Sequence, residues 1–179
     1  MKTEDSRPSA PHDANLELTA ERWFPVAVER VWEQCTSKRG LERWWSPEDL
    51  RTSVRRFDPR PGGDVVLSLR YAPAMLDPKN EETFRAAGVP ISLVLRGKIR
   101  EWQKHRRLVL ELTLTLDRAG AGITTVTQLE FEATGGGTRL RLTVTGKSDP
   151  HFRTLGEANL NGQLDRLGQS LVDPPASSP

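Results

Sequence analysis

The chain has 179 residues, of which 26 are basic, 24 are acidic and one is cysteine, so its formal net charge is +2. The length suits one domain with a sizeable core, and the near balance of charge argues against nucleic acid as a partner. The single Cys35 excludes an intramolecular disulfide, and no apolar run approaches the roughly 20 residues needed for membrane insertion.

Both ends of the chain differ in composition from the part between them. Residues 1–14 are polar, and residues 173–179 are rich in proline and serine. Such segments bury too little apolar surface to fold, so we predict disordered tails and one folded domain over residues 15–172. The N-terminus has no apolar segment of the kind found in signal peptides, so a cytoplasmic protein is expected.

The predicted domain begins with a strand that leads into two helices. Apolar and polar residues alternate from Leu16 to Phe24, which is typical of a half-buried strand. Residues 28–35 place their apolar side chains on one helical face, and Cys35 on that face is interpreted as a buried hydrophobe rather than a nucleophile. Gly40 is expected to end or kink this helix, and a second helical turn follows at residues 41–45.

The remainder of the domain alternates with period two until its last segment. An irregular excursion at residues 72–90 interrupts this pattern, and such excursions often cover a pocket or an interface. From about Pro150 leucines recur at helical spacing, which predicts an amphipathic helix of about twenty residues. The predicted strands cover residues 50–57, 65–71, 91–99, 108–116, 123–133 and 138–145.

This order of elements predicts an α+β fold. A curved antiparallel sheet of about seven strands would wrap around a long C-terminal helix, with two short helices after the first strand. Glycine-rich turns at residues 120–122 and 135–137 join sequential strands into a meander with one apolar face. The last helix covers that face, and sheet curvature is expected to leave a ligand cavity between the helix and the sheet.

Six segments carry a resemblance through their order and spacing, although none is specific alone. They are Pro25–Trp32, Leu41–Pro47, Asp58–Gly63, Gly97–Glu101 followed by Arg107–Val109, Gly137–Leu140, and Gly162–Leu171. Together they resemble the START-like helix-grip (SRPBCC) superfamily, in the branch of the C-terminal domain of the heat-shock-protein-90 ATPase activator. The resemblance implies a helix-grip fold and a scaffold for hydrophobic or amphipathic small molecules. Relatives include lipid carriers, polyketide cyclases and co-chaperone domains, so it implies no single reaction.

Strand parity indicates which residues reach the expected cavity. Trp44 and Trp45 are expected at its mouth, and Thr125, Thr127 and Asn159 are polar groups that could orient a ligand. Members of the resembled family commonly carry tryptophan where this chain has Gln163, which would widen or polarise the space. The other inward positions are predicted to be Leu95, Leu112, Leu114, Leu129, Leu140 and Leu142 on the strands, with Leu155 and Gly162 on the helix.

The sequence contains no recognisable catalytic or metal-binding motif. His12, His105 and His151 match no metal-ligand spacing, and no serine or cysteine has an identifiable base partner. We therefore predict no catalytic residue, no metal and no cofactor. Three functions remain open: binding of a hydrophobic small molecule in the cavity, a cyclase-type or hydrolase-type enzyme using the same cavity, and a co-chaperone-like interaction module with a protein partner or a second copy as homodimer.

Overall fold

The structure is a computed structural model that describes residues 14–47, 49–72, 81–83, 86, 92–115, 122–148 and 152–172. The predicted tails and most of the 72–90 excursion therefore lie outside the described residues. No helix in the described ranges is long and apolar enough to cross a membrane. The elements are β1 (Ala14–Phe24), α1 (Val28–Thr36), α2 (Lys38–Trp44), β2 (Leu50–Phe57), β3 (Asp64–Tyr71), β4 (Ser92–Gln103), β5 (Arg107–Thr115), β6 (Gly122–Thr134), β7 (Gly137–Ser148) and α3 (Phe152–Val172).

All described strands form one seven-stranded antiparallel sheet in the order β1-β7-β6-β5-β4-β3-β2. Strands β2 to β7 each pair with their neighbour in sequence, including β3 and β4, which the long 72–90 excursion joins. Strand β1 instead pairs with β7, with Leu18 opposite Val144 and Phe24 opposite Thr138. The α+β prediction and the predicted order of elements are confirmed.

Helix α3 runs across the inner face of the sheet and beside β1. Leu160, Leu164, Leu167 and Leu171 recur at helical spacing and are all buried, so they form the stripe that meets the core. A Cβ on Gly168 would lie 3.4 Å from the Phe24 ring, which places the end of the helix against the end of β1. The two short helices pack on α3 and complete the layer above the sheet.

Gly40 does not end the first helix, contrary to the prediction. Helix α1 ends at Thr36, and the Ser37 side chain accepts a hydrogen bond from the Gly40 backbone N–H to cap α2. Gly40 lies inside α2, where an added Cβ would be 2.1 Å from the Gln34 carbonyl oxygen. The glycine is therefore explained by the close approach of α2 to the end of α1, not by a left-handed helix terminus.

Residues 58–63 form a turn that is tied to the neighbouring strand. Asp58 and Arg60 make an ion pair of 2.8 Å, and Gly62 adopts a φ of 76°, which favours glycine. The Gly62 N–H donates to the Ile99 carbonyl at 2.7 Å, and the Ile99 N–H donates to the Gly63 carbonyl at 2.9 Å. These contacts give the segment a structural role at the edge of the sheet.

The outer face of the sheet carries cross-strand ion pairs. Arg139 lies 3.5 Å from Glu21 and 3.1 Å from Glu132, and Arg100 pairs with Glu111 at 2.5 Å. The hydrogen bond from Arg100 holds the pKa of the Glu111 carboxyl below its usual range. Exposed pairs of this kind contribute little stability, but they make this face strongly polar and balanced in charge.

Candidate ligand-binding cavity

A cavity of about 560 Å³ lies between the first half of α3 and the inner face of the sheet. Strands β5, β6 and β7 form its floor, β1 contributes one side, and the end of α2 with the segment that follows forms another. The predicted residues that the structure brings together around it are Trp44, Trp45, Leu95, Leu112, Leu114, Thr125, Thr127, Leu142, Asn159 and Gln163. Their contact with a ligand stays a prediction.

Two of the predicted inward leucines do not line the cavity. Leu129 and Leu140 lie on the inner face, but each is completely buried in the core. On β6, Leu129 lies two residues after Thr127. On β7, Leu140 pairs with Phe131, which lies two residues further along β6. Both leucines thus lie in the part of the inner face that is covered by buried side chains. Gly162 is also absent from the lining, and the side chain of Leu155 lies outside the described part of the chain.

Further lining residues were missed by the sequence analysis. Ile123 and Val144 share the inward parity of their strands, so the same alternation could have identified them. Leu16 and Leu18 required the pairing of β1 with β7, which joins positions more than a hundred residues apart. The remaining missed residues are Ser46, Pro47, Leu50, Leu69, Gly156 and Leu160.

The tryptophan pair forms one wall of the cavity and is held by backbone hydrogen bonds. The Trp44 ring is buried, its Nε1–H donates to the Gln34 carbonyl at 3.1 Å, and its centroid lies 5.6 Å from that of Trp45. The Gln163 amide donates to the Trp45 carbonyl. The position that commonly holds tryptophan in the resembled family thus carries a polar side chain that ties α3 to this wall.

Arg166 fastens the same wall to α3 one turn further along the helix. Its guanidinium donates to the Ser46 carbonyl at 2.7 Å, the Pro47 carbonyl at 2.8 Å and the Arg43 carbonyl at 3.3 Å. The last carbonyls of a helix have no intrahelical partner, so these bonds satisfy groups at and beyond the end of α2. Arg166 therefore helps to position the residues that close the cavity.

The polar side chains at the cavity fall into two groups. The Ser46 hydroxyl donates to the Leu50 carbonyl at 3.1 Å, and the Gln163 amide is bonded to the backbone. Thr125, Thr127 and Asn159 make no side-chain hydrogen bond with any described residue. These three are therefore the polar groups that the described part of the site leaves available to a ligand.

The described lining residues include no titratable side chain. Catalysis by general acid and base would require such groups within reach of the substrate. Cys35, the one thiol, lies in the core and does not line the cavity, and burial raises the pKa of that thiol. The described lining therefore offers no side chain for general acid–base catalysis.

Replacing a threonine by valine at two inner-face positions is expected to change the free energy of unfolding by different amounts. Thr138 is completely buried and its hydroxyl donates to the Val26 carbonyl at 2.8 Å, so Thr138→Val should lower the free energy of unfolding by about 1–3 kcal/mol. Thr127 is 6% exposed and makes no such bond with a described residue. Thr127→Val should therefore leave the free energy of unfolding within about 1 kcal/mol of the parent, or raise it. Urea denaturation of both variants measures the difference, and an equal loss in the two would contradict this assignment.

Comparison with known proteins gives a family and a shared fold. The family model described as Activator of Hsp90 ATPase homolog 1-like protein matches residues 25–171. A search among curated proteins finds no significant match.

Solved bacterial structures show the same fold. A protein from Chromobacterium violaceum is 19% identical with a TM-score of 0.68, covering 88% of this chain and 98% of that chain. A protein from Arthrobacter aurescens is 18% identical with a TM-score of 0.69, and the match covers 89% of this chain and 87% of that chain. The AHSA1 protein from Silicibacter pomeroyi is 18% identical with a TM-score of 0.66, and the match covers 88% of this chain and 97% of that chain. At these identities the likeness shows the fold alone.

The resemblance carried by the six sequence segments is confirmed by the family model and by the shared helix-grip architecture. Because the family model spans β2 to β7 and nearly all of the helices, the match is not confined to one motif. The chain belongs to the family described as Activator of Hsp90 ATPase homolog 1-like protein.

Proposed function

We propose that the protein binds a hydrophobic or amphipathic small molecule in the cavity between α3 and the sheet. The observation that carries this proposal is a cavity of about 560 Å³ with a lining that is mostly leucine, tryptophan and other apolar residues. Ligand sites usually have a few hundred cubic ångströms, an apolar lining and a small number of polar groups. Membership of the family supports a ligand-binding or co-chaperone-like domain at this coarser level.

The way the rest of the core is packed supports the same proposal. Protein interiors are close-packed and seldom leave voids larger than a water molecule. Leu108, Leu110, Leu129 and Leu140 follow this rule and are fully buried. Among the described residues the cavity lies beside a packed region of the core that contains these leucines, as expected for a site shaped to receive another molecule.

The other two functions receive less support from the described residues. An enzyme using the cavity would need a convergent acid and base, which the described lining does not provide. An interaction module would present an exposed apolar patch or a groove on the outer face of the sheet to its partner. Among the described residues the large exposed hydrophobic side chains are Trp23 on β1 and Val172 at the end of α3, and the outer face of the sheet carries ion pairs.

Binding of the neutral fluorescent probe N-phenyl-1-naphthylamine tests this proposal. The parent protein should bind the probe saturably, and Val144→Trp should weaken binding by at least about tenfold because the larger ring fills the floor of the cavity between Leu18 and Thr127. Val126→Trp is the matched control, since it makes the same change on the opposite face of neighbouring strand β6.

Thermal unfolding of both variants shows whether each is folded, and Leu114→Trp offers a second cavity-side change if Val144→Trp is not. The proposal is wrong if the parent does not bind the probe saturably, or if Val126→Trp weakens binding as much as the cavity-side variants do.

A further inference from the structure

We infer that the cavity selects an uncharged amphipathic ligand, whose hydroxyl or other neutral hydrogen-bonding head group meets Thr125 and Thr127 while its apolar part packs on the surrounding leucines. This inference rests on the proposed function and adds the chemical class of the ligand and the site of its head group.

The two threonines lie side by side in the floor of the cavity. They are two residues apart on β6, so both side chains project from the same face of the sheet. Thr125 lies between Leu112 and Gly146, and Thr127 lies between Leu110 and Val144. Each hydroxyl is therefore set among apolar neighbours, with a glycine beside Thr125 that adds no side chain to the floor.

The Thr127 side chain is nearly buried at the cavity, and its hydroxyl makes no hydrogen bond with a described residue. Thr127 is only 6% exposed. Several other threonines of this sheet are paired, Thr113 with Thr124 at 2.8 Å, Thr19 with Thr143 at 3.2 Å, and Thr138 with the backbone. The Thr52 hydroxyl on β2 also has no partner, but Thr52 does not line the cavity. A ligand that covers this hydroxyl removes it from water, so a ligand that also supplies a donor or an acceptor binds better than one that leaves the hydroxyl without a partner.

The electrostatics of the same cavity disfavour a charged head group. The described lining residues carry no basic side chain that could neutralise a carboxylate or a phosphate. The arginines at the helix–sheet interface are engaged elsewhere, Arg22 with Asp165 and Arg166 with the backbone carbonyls beyond α2. An anion entering the cavity would lose its hydration without gaining a counter-charge, whereas an alcohol needs only hydrogen bonds.

The experiment compares two ligands of equal chain length by direct calorimetric titration of the intact protein, 1-decanol and decanoate at about pH 8, where the acid is ionised. In the parent protein 1-decanol should bind at least about tenfold more tightly than decanoate. The double variant Thr125→Val, Thr127→Val should bind 1-decanol at least about fivefold more weakly than the parent does, and its thermal unfolding shows whether it is folded. Thr143→Val removes a hydroxyl from the outer face and should leave the affinity for 1-decanol unchanged.

The outcomes separate this inference from the proposed function. Decanoate binding as tightly as 1-decanol in the parent would overturn the inference, and that comparison needs no variant to fold. Unchanged 1-decanol affinity in the double valine variant would overturn the role of the threonines. Binding of the probe without binding of 1-decanol would refute the inference and leave the proposed function standing, whereas binding of neither would refute both.

Discussion

Gly40→Ala is expected to lower the free energy of unfolding by about 3 kcal/mol or more. A Cβ at this position would lie 2.1 Å from the carbonyl oxygen of Gln34 and 2.8 Å from its Cα, and both atoms belong to the backbone of α1. Backbone cannot move aside as a flexible side chain can, so α1 and α2 must separate. The separation would also stretch the hydrogen bond from Trp44 to the Gln34 carbonyl.

Gly162→Ala is the matched control for this prediction, because both glycines lie inside helices. A Cβ at Gly162 meets nothing within 4 Å, so only helix propensity changes. Alanine is favoured over glycine in a helix by about 1 kcal/mol, so Gly162→Ala should raise the free energy of unfolding by about 0.5–1 kcal/mol. Chemical denaturation measures both, and equal effects in the two variants would show that contact with Gln34 is not what selects glycine at residue 40.

Arg166→Ala is expected to lower the free energy of unfolding by about 2–4 kcal/mol. The half-buried guanidinium donates to the carbonyls of Arg43, Ser46 and Pro47, and its loss leaves these acceptors without that partner. Since Ser46 and Pro47 line the cavity, the variant should also weaken probe binding. Differential scanning calorimetry and the fluorescence titration measure the two effects separately.

Arg139→Ala on the outer face serves as the comparison for Arg166→Ala. Arg139 makes ion pairs with Glu21 and Glu132, but all three side chains are substantially exposed. Such pairs are screened by water and salt, so this substitution should change the free energy of unfolding by no more than about 1 kcal/mol. If Arg139→Ala lowered the free energy of unfolding as much as Arg166→Ala, the hydrogen bonds from Arg166 to the segment at the end of α2 would not explain the loss in Arg166→Ala.

The strands of the sheet could be predicted from local patterns because each has one buried face. The alternating leucines from Leu108 to Leu114 correspond to β5, and Leu108, Leu110 and Leu112 are all fully buried. Pairing across long sequence separations leaves no such local signal. The placement of β1 beside β7 therefore came only from the structure, and with it the contribution of Leu16 and Leu18 to the cavity.

The alternation of apolar and polar residues also could not predict where along the sheet the cavity ends. Parity assigns Thr127 and Leu129 to the same face, and the structure agrees. Which of them reaches the cavity depends on where the covering side chains fill the space, and that is decided by the packing of three helices against the sheet. Gly40 illustrates the same limit, since a glycine needed for close approach and one that ends a helix look alike in sequence.

The position of α3 explains how one helix can both fill the core and leave a cavity. Leu164, Leu167 and Leu171 in its second half are buried against the core. Its first half carries Gly156, where a Cβ would lie 2.3 Å from the end of the Leu18 side chain, so glycine allows the helix to lie close to β1 there. Gln163 and Arg166, near the middle of the helix, bond to the wall beside the cavity. The second half of α3 therefore fills the core, while its first half and the bonded segment beside it surround a mostly apolar cavity.

The central claim is that a ligand binds between α3 and the inner face of the sheet, and the most direct test is the position of a bound molecule in solution. Intermolecular nuclear Overhauser effects can be measured between N-phenyl-1-naphthylamine and the methyl groups of the protein. The account predicts contacts to the methyls of Leu112, Leu114 and Val144, which line the cavity. Contacts confined to the outer-face methyls of Val94 and Val126, or to neither set, would contradict it.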